Sequence, residues 1–181
     1  MSRIHAVSPD SASGKAKDLL DAVKQKLGKA PNMAKVMANS PAVLEAYLGF
    51  SGALSGGLLD AQTREQLALT VSQKNHCDYC LSAHSAIGKM VGLNPEQVVE
   101  ARKGHGTNAR TTAALTFANR VLETKGQINE DDLKAVREAG FSDGEITEII
   151  AHVALNVFTN YFNTAAEVDI DFPKVAAVEV A

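Results

Sequence analysis

His76-Cys77-Asp78-Tyr79-Cys80-Leu81-Ser82-Ala83-His84 contains both cysteines of the 181-residue chain. The two thiols are three residues apart, and His84 follows Cys80 by four residues. The C-x-x-C spacing lowers thiol pKa values and permits closure of a disulfide ring. A histidine one helical turn beyond Cys80 supplies a base or a proton donor beside the sulfur. The stretch therefore predicts a helix that carries a dithiol able to cycle to a disulfide.

Composition and charge exclude several other classes of protein. The chain is 45% hydrophobic and 22% charged, with a net charge of −3 and a pI of about 5.9. This acidic balance argues against nucleic acid or an anionic membrane as a partner. The sequence shows neither a membrane-spanning apolar run nor a signal peptide, so we expect a cytoplasmic protein. Structural disulfides are rare in that compartment, which favours a catalytic or metal-binding role for the cysteine pair.

The pattern of the chain predicts an all-α fold in a single domain over residues 1–181. Helix start signals recur, and no run of β-branched residues is long enough for a buried strand. Ser40-Pro41, Asn94-Pro95 and Ser142 each have the residue types of a helix N-terminus. The tail from Asp169 to Pro173 is expected to be irregular. Helices are predicted over about 11–27, 41–55, 60–75, 76–92, 95–103, 110–126, 129–140 and 143–166.

The cysteine helix places three reactive side chains on one face. Cys77, Cys80 and His84 fall at i, i+3 and i+7 when Cys77 lies in the first turn. The positive end of the helix dipole stabilises a thiolate at Cys77, whereas His84 favours one at Cys80. These two effects point to different nucleophiles, and the residues alone leave the choice open.

Glu65 is the predicted partner of His84. It lies on the helix before the cysteine helix. If the two helices form a hairpin about residues 74–75, Glu65 and His84 are equidistant from the turn and meet across it. The carboxylate would then orient the imidazole, and the imidazole would handle the thiol proton.

Together these residues resemble a known family. Glu65, followed twelve positions later by the first cysteine of C-x-x-C-x-x-x-H, is similar to the core of the AhpD-like alkylhydroperoxidases, within the wider carboxymuconolactone decarboxylase family. The likeness covers a core of about residues 40–125. Outside it, Asn160-Tyr161-Phe162-Asn163 and Ile170-Asp171-Phe172-Pro173 resemble the peroxidase-related branch. One departure is Tyr79, because the best-known members carry a histidine just before the second cysteine.

The resemblance implies a fold, an activity and a set of roles. The fold is an AhpD-like helical bundle in which a central hairpin carries the C-x-x-C motif, and the oligomer is a trimer or a multiple of one, such as a hexamer. The activity is reduction of small organic hydroperoxides. Cys80 is the peroxidatic thiol, Cys77 resolves, and Glu65 and His84 relay protons. No bound cofactor or metal is required, and an electron-donor protein with an external dithiol, a lipoyl group in part of the family, restores the thiols.

Other hypotheses and residues complete the sequence-based picture. A carboxymuconolactone-type decarboxylase would not need the dithiol, and a redox sensor or zinc module could use His76, Cys77, Cys80 and His84 as ligands, although adjacent residues converge poorly on one ion. Tyr79 and His76 are pocket candidates, with packing and a turn as their simpler roles. A polar stripe on the last helix is expected to form a hydrogen-bond network or, with His152 near the dithiol, a pocket wall. The stripe consists of His152, Asn156, Asn160 and Asn163.

Overall fold

A computed structural model describes residues 2–176 and 178 and confirms the all-α fold. The described residues form nine helices and no strand. The helices are α1 (Gly14–Leu27), α2 (Asn32–Met37), α3 (Pro41–Ser55), α4 (Ala61–Lys74), α5 (Asp78–Met90), α6 (Pro95–Arg102), α7 (Ala109–Glu123), α8 (Glu130–Glu138) and α9 (Asp143–Ala165).

Helix α4 is the central element. It packs against α5, α6, α7 and α9, and nine of its fourteen residues are buried. Leu67, Leu69 and Val71 are wholly inaccessible to solvent. A helix buried on most sides has its orientation fixed by its neighbours, so the side chains that it does present to a cavity are held in place.

A tight turn joins α4 to α5 and forms the predicted hairpin. Asn75 ends α4, and His76 adopts a left-handed backbone conformation with φ of +53°. The amide N–H of Cys77 donates to the carbonyl oxygen of Ser72 across the turn, at 3.0 Å. The two helices can therefore reverse direction within three residues and pack along each other.

Local capping explains the other helix starts. Asp60 caps α4 through Thr63, and full capping boxes open α6 at Asn94, α8 at Asn129 and α9 at Ser142. Each box satisfies two otherwise unpaired N–H groups. Pro41 occupies the first turn of α3 as predicted, although the Ser40 side chain makes no capping bond.

One short helix and several boundaries differ from the sequence prediction, among them the end of α7, which lies at Glu123 instead of residue 126. Helix α2 was not predicted, because it has only six residues and depends on the burial of Ala34, Val36 and Met37 by neighbouring helices. Helix α1 begins at Gly14 instead of about residue 11. Helix α5 ends at Met90 instead of Gly92, which has φ of +98° and lies beyond the last helical turn.

The tail packs on the cysteine helix in an irregular conformation. Its phenylalanine, Phe172, meets the ring of Tyr79 edge-on with centroids 5.8 Å apart. Val168 and Ala166 join Cys77 and Cys80 in one buried apolar cluster. The irregular segment predicted near Asp169 therefore forms part of the wall around the cysteines. In the described part of the chain, no helix is both long and apolar enough to cross a bilayer.

The burial of α4 generates a stability prediction. Leu67→Ala removes a side chain with no exposed surface and should lower the free energy of unfolding by about 3 kcal/mol, because a cavity remains. Met90→Ala is the control, since Met90 is 85% exposed, and should change it by less than about 0.5 kcal/mol. Urea denaturation measures both. Equal losses in the two variants would contradict the central position of α4.

Candidate active site

The two cysteines are joined as a buried disulfide at the start of α5. Their Cα atoms are 5.3 Å apart, within the usual range for a disulfide. Cys77 is the residue that caps α5, and the backbone N–H of Cys80 donates to Cys77 Sγ at 3.3 Å. Both residues are only 2% exposed. The pair therefore sits in the protein interior, at the positive end of a helix.

Glu65 and His84 meet across the hairpin. Glu65 Oε2 and His84 Nδ1 are 2.8 Å apart, and both side chains are mostly buried. Since a carboxylate oxygen accepts, the imidazole proton in this contact lies on Nδ1. Nε2 is then left to exchange a proton with another group. The arrangement has the geometry of an oriented base.

Asn163 contacts the sulfur of Cys80. Its Nδ2 donates to Cys80 Sγ at 3.3 Å and to the sulfur of Met33 at 3.2 Å. The amide oxygen Oδ1 of Asn163 is buried and has no protein partner among the described residues. A donor at this position stabilises negative charge on the sulfur once the disulfide is opened.

Two adjoining cavities surround these residues. The first, of about 100 Å³, is lined by Cys80 and by mainly apolar side chains that include Met33, Ile87 and Phe172. The second, of about 160 Å³, is polar and contains Glu65 and His152. Tyr47, His84 and Thr159 line both. His84 thus lies between the sulfur and the polar cavity.

Cys77 faces a different cavity. About 250 Å³ in volume, this space is lined by His76, Cys77, Asp78 and Glu167, together with residues of the tail. His84 does not line it. The two sulfurs therefore border separate spaces, and only that of Cys80 is shared with the histidine of α5.

Tyr79 anchors the tail beside the cysteines. Its hydroxyl donates to Asp171 Oδ1 at 2.9 Å and accepts from the backbone N–H of Met33 at 3.2 Å. Burial, with Asp171 nearby, raises the pKa of this phenol well above its ordinary value. The hydroxyl is therefore a neutral structural group, and the Tyr79 side chain lines the Cys80 cavity.

The polar stripe of α9 divides between structure and site. Asn160 is a core hydrogen-bonding residue, since it donates to Ser72 Oγ and accepts from Asn75. His152 lines the cavity of Glu65 and His84, not the one that contains Cys80. Asn163 alone reaches the sulfur. The stripe was predicted as one unit; in the structure its members are all buried but have different contacts.

His152 is a buried histidine with one free nitrogen. It is 6% exposed, and its Nε2 has no hydrogen-bond partner in the described structure. Burial, with a further contribution from Arg64, lowers the pKa of His152 to about 4. The imidazole is therefore neutral at pH 7 and can donate or accept at Nε2, depending on its tautomer.

Metal-ligating residues are not grouped in the described ranges 2–176 and 178. Within them, no three side chains of histidine, cysteine, aspartate or glutamate cluster as ligands of one ion. Both cysteine sulfurs are engaged in the disulfide. The zinc hypothesis therefore has no donor set in this arrangement.

Three contributors to the site were not predicted. Asn163 was placed in the stripe of α9, but nothing local in the sequence signals its contact with Cys80. Arg64 precedes Glu65, and Tyr47 lies on α3; both line the polar cavity. Helical spacing could have placed Arg64 near His152 only with knowledge of how α4 and α9 pack.

Comparison with protein families identifies the core. The model of the carboxymuconolactone decarboxylase family matches residues 41–124. An uncharacterised protein of Haemophilus influenzae is 44% identical over 46 residues, which are 25% of this chain. That match spans only 41% of the Haemophilus protein.

Solved structures share the fold over most of its length. The AhpD-core, peroxidase-related protein of Ralstonia eutropha superposes with a TM-score of 0.86 at 26% identity, covering 94% of this chain and 92% of its own. A peroxidase-related protein of Silicibacter superposes with a TM-score of 0.82 at 25% identity, covering 92% of this chain and 91% of its own. The debrominase Bmp8 superposes with a TM-score of 0.77 at 21% identity, covering 93% of this chain and 91% of its own. This similarity concerns the fold alone.

The buried His152 generates a pH prediction. The unfolded chain takes up a proton there near pH 6.5, whereas the folded chain does so only near pH 4. The free energy of unfolding should therefore fall between pH 6.5 and 4, by up to about 1.4 kcal/mol per pH unit from this group. The free energy of unfolding of His152→Gln, subtracted from that of wild type at each pH, gives the slope that His152 contributes.

Urea denaturation across this pH range measures both profiles. His5→Gln, at an exposed histidine, is the matched control and should run parallel to wild type. A constant offset between wild type and His152→Gln, with no slope, would contradict the neutral buried imidazole.

Proposed function

We propose that this chain, whose residues 41–124 match the model of the carboxymuconolactone decarboxylase family and whose fold is AhpD-like, is a thiol peroxidase that reduces organic hydroperoxides. The observation that carries the proposal is the cavity that Cys80 shares with His84. The Nδ1 atom of His84 contacts Glu65. A redox-active sulfur beside an oriented base is the arrangement that thiolate chemistry requires.

The first step is attack by Cys80. His84 takes the thiol proton, and the thiolate attacks the terminal oxygen of the hydroperoxide. The O–O bond breaks, Cys80 becomes a sulfenic acid, and the leaving alkoxide takes a proton from His84 to give the alcohol. Glu65 holds the imidazole in the tautomer with its proton on Nδ1. The sulfur is oxidised by two electrons and the hydroperoxide is reduced by two.

Cys80 is favoured over Cys77 as the nucleophile for two structural reasons. Cys80 lines the cavity of His84, whereas Cys77 borders the separate space near His76. Asn163 also donates to Cys80 Sγ and would stabilise its thiolate. The helix dipole favoured a thiolate at Cys77 and His84 favoured one at Cys80. These contacts support Cys80 as the nucleophile.

Cys77 completes the cycle. Its thiol loses a proton, the thiolate attacks the sulfenic sulfur of Cys80, and the hydroxide that leaves takes up that proton to give water, so that the disulfide seen in this structure forms. An external dithiol, such as a reduced lipoyl group on a donor protein, then opens the disulfide by exchange and is itself oxidised. The reducing cytoplasm is the proposed compartment, because there such donors keep thiols reduced.

Self-association is part of the proposal. Helix α3 is rich in apolar residues, yet among them only Leu44 is fully buried. Large apolar side chains are also exposed in the loop between α3 and α4 and along one side of α9. Such surfaces mark protein–protein contacts, so we propose a homo-oligomer, a trimer or a hexamer. The exposed residues are Phe50, Leu58, Ile150, Phe158 and Tyr161.

Substitution of each cysteine tests the cycle. With a lipoyl dithiol as reductant, wild type should consume cumene hydroperoxide catalytically, and Cys80→Ser should abolish turnover. Cys77→Ser should be oxidised once and accumulate a sulfenic acid on Cys80 that dimedone traps, which mass spectrometry detects. The reason is that only Cys80 attacks the peroxide, whereas Cys77 resolves.

Two outcomes would contradict this assignment. A sulfenic acid on Cys77 in the Cys80→Ser variant would reverse the roles of the sulfurs. Absence of peroxide consumption by reduced wild type would exclude the peroxidase and leave disulfide exchange or, if activity on a lactone survives loss of both thiols, decarboxylation.

Asn163 should lower the pKa of the Cys80 thiol. A hydrogen bond to a charged group stabilises it by about 1.5–3 kcal/mol, and about 1.4 kcal/mol corresponds to one pKa unit. Asn163→Leu in a Cys77→Ser background should therefore raise the thiol pKa by about one unit, measured by thiolate absorbance at ~240 nm.

Thr159→Val is the matched control for this measurement. Thr159 lines the same cavity, but its hydroxyl donates to the backbone of Asn156 and not to sulfur. The thiol pKa should be unchanged in that variant. An equal thiol pKa in Cys77→Ser with and without Asn163→Leu would refute the role of the amide.

A further inference from the structure

The polar cavity beside His84 contains a cation, Arg64, that forms no ion pair with a carboxylate in the described residues. Arg64 lines this cavity of about 160 Å³, and one of its guanidinium N–H groups donates to the backbone oxygen of Leu59. Within the described ranges of the chain, Arg64 takes part in no ion pair, whereas Arg110, Arg120 and Arg137 each pair with a carboxylate. Its remaining donors are available to a ligand.

His152 adds an unpartnered polar atom to the same cavity. The residue is more than nine-tenths buried, and its Nε2 has no hydrogen-bond partner. Burying a polar atom without a partner is costly, so such atoms in a cavity wall indicate a ligand that satisfies them. The side chains of Arg64 and His152 line the same space.

The carboxylates near the cavity are already engaged. Glu65 contacts His84 at 2.8 Å. Glu148 accepts from the backbone N–H groups of Leu58 and Leu59, and Asp60 caps α4 through Thr63. Tyr47, the other ionisable group in the wall, is held neutral because burial raises its pKa. The Asp60 carboxylate, four residues before Arg64, interacts with it electrostatically but forms no ion pair with it in the described residues. A carboxylate on a bound molecule can therefore accept from the remaining Arg64 donors.

We propose that Arg64 and His152 bind the carboxylate of an organic hydroperoxide, with the peroxide group placed at Cys80. This inference rests on the proposed peroxidase activity and specifies its substrate class. Tyr47, His84 and Thr159 line both cavities, so a molecule can extend from the polar head-group site to the apolar space around the sulfur. The guanidinium of Arg64 donates to one carboxylate oxygen, and the Nε2–H tautomer of His152 donates to the other.

The arrangement predicts selectivity for acidic hydroperoxides. Hydrogen peroxide has no head group and leaves the Arg64 donors and His152 unsatisfied. A neutral hydroperoxide of equal size fills the space but cannot accept a charge-assisted hydrogen bond. Charge-assisted bonds to a partly buried carboxylate are worth about 1.5–3 kcal/mol, which corresponds to roughly ten- to a hundredfold in affinity.

Binding to the oxidised protein tests the head-group site without any turnover. Benzoate and its neutral analogue benzamide are titrated by NMR against the disulfide form. Benzoate should bind at least about tenfold more tightly than benzamide, and Arg64→Gln should remove that preference. His152→Leu should weaken benzoate binding several-fold, and Arg64→Lys should restore part of it relative to Arg64→Gln. Arg137→Gln, at a remote arginine on α8, is the control and should bind benzoate as wild type does.

Kinetics then test whether the head group directs the peroxide to the sulfur. Cumene hydroperoxide is compared with its para-carboxylate, and the ratio of their kcat/KM values is measured in wild type and Arg64→Gln. The ratio should favour the carboxylate by at least about tenfold in wild type and fall to about one in the variant, through KM.

The outcomes separate this inference from the proposed function. Equal binding of benzoate and benzamide, or benzoate binding unaffected by Arg64→Gln, would overturn the carboxylate site even if both hydroperoxides are reduced. Loss of preference at the sulfur with intact benzoate binding would also overturn the proposed substrate orientation. Failure of reduced wild type to consume either hydroperoxide would instead overturn the peroxidase proposal.

Discussion

Enclosure of α4 by α5, α6, α7 and α9 is the constraint on which the site depends. Because α4 is packed on most sides, its few cavity-facing residues have fixed positions, and Glu65 is one of them. The hairpin turn at His76 then brings α5 alongside, so that His84 lies against Glu65. A contact between two partly buried polar groups is thus set by the packing of apolar side chains elsewhere on the same helices.

The cysteine pair uses the beginning of α5 in two ways. Cys77 caps the helix through its sulfur, while Cys80 lies one turn inside and borders a cavity. The tail closes the surroundings, since Tyr79 holds Asp171 and Phe172 packs on the Tyr79 ring. Both sulfurs are consequently shielded from bulk solvent but adjoin cavities. This environment limits access to small molecules and to groups that can enter those spaces.

The parts of the structure that arise from short-range rules were predictable. The capping boxes at Asn94 and Ser142 involve residues three positions apart, and the Glu65–His84 contact follows from symmetry about one turn. The contacts of Asn163 with Cys80 and of Tyr79 with Asp171 join residues more than 80 positions apart. They depend on how α9 and the tail pack against α5, and no local pattern encodes that packing.

The same distinction explains the outcome for α9. Its spacing showed that the four polar residues share a face, which is a property of one helix. Their separation into a core network at Asn160, a sulfur contact at Asn163 and a cavity wall at His152 reflects what lies opposite each turn. Helix α2 was missed for a related reason, since so short a helix is stabilised by its neighbours.

The stoichiometry of a single oxidation tests the central claim most directly. Fully reduced protein is mixed with cumene hydroperoxide in the absence of any external thiol, and the peroxide, cumyl alcohol and free thiols are quantified over time. The account predicts that each chain consumes one hydroperoxide, forms one alcohol and loses both thiols into an intramolecular disulfide. Retention of both thiols while the hydroperoxide persists, or oxidation only between chains, would contradict a peroxidase cycle confined to Cys77 and Cys80.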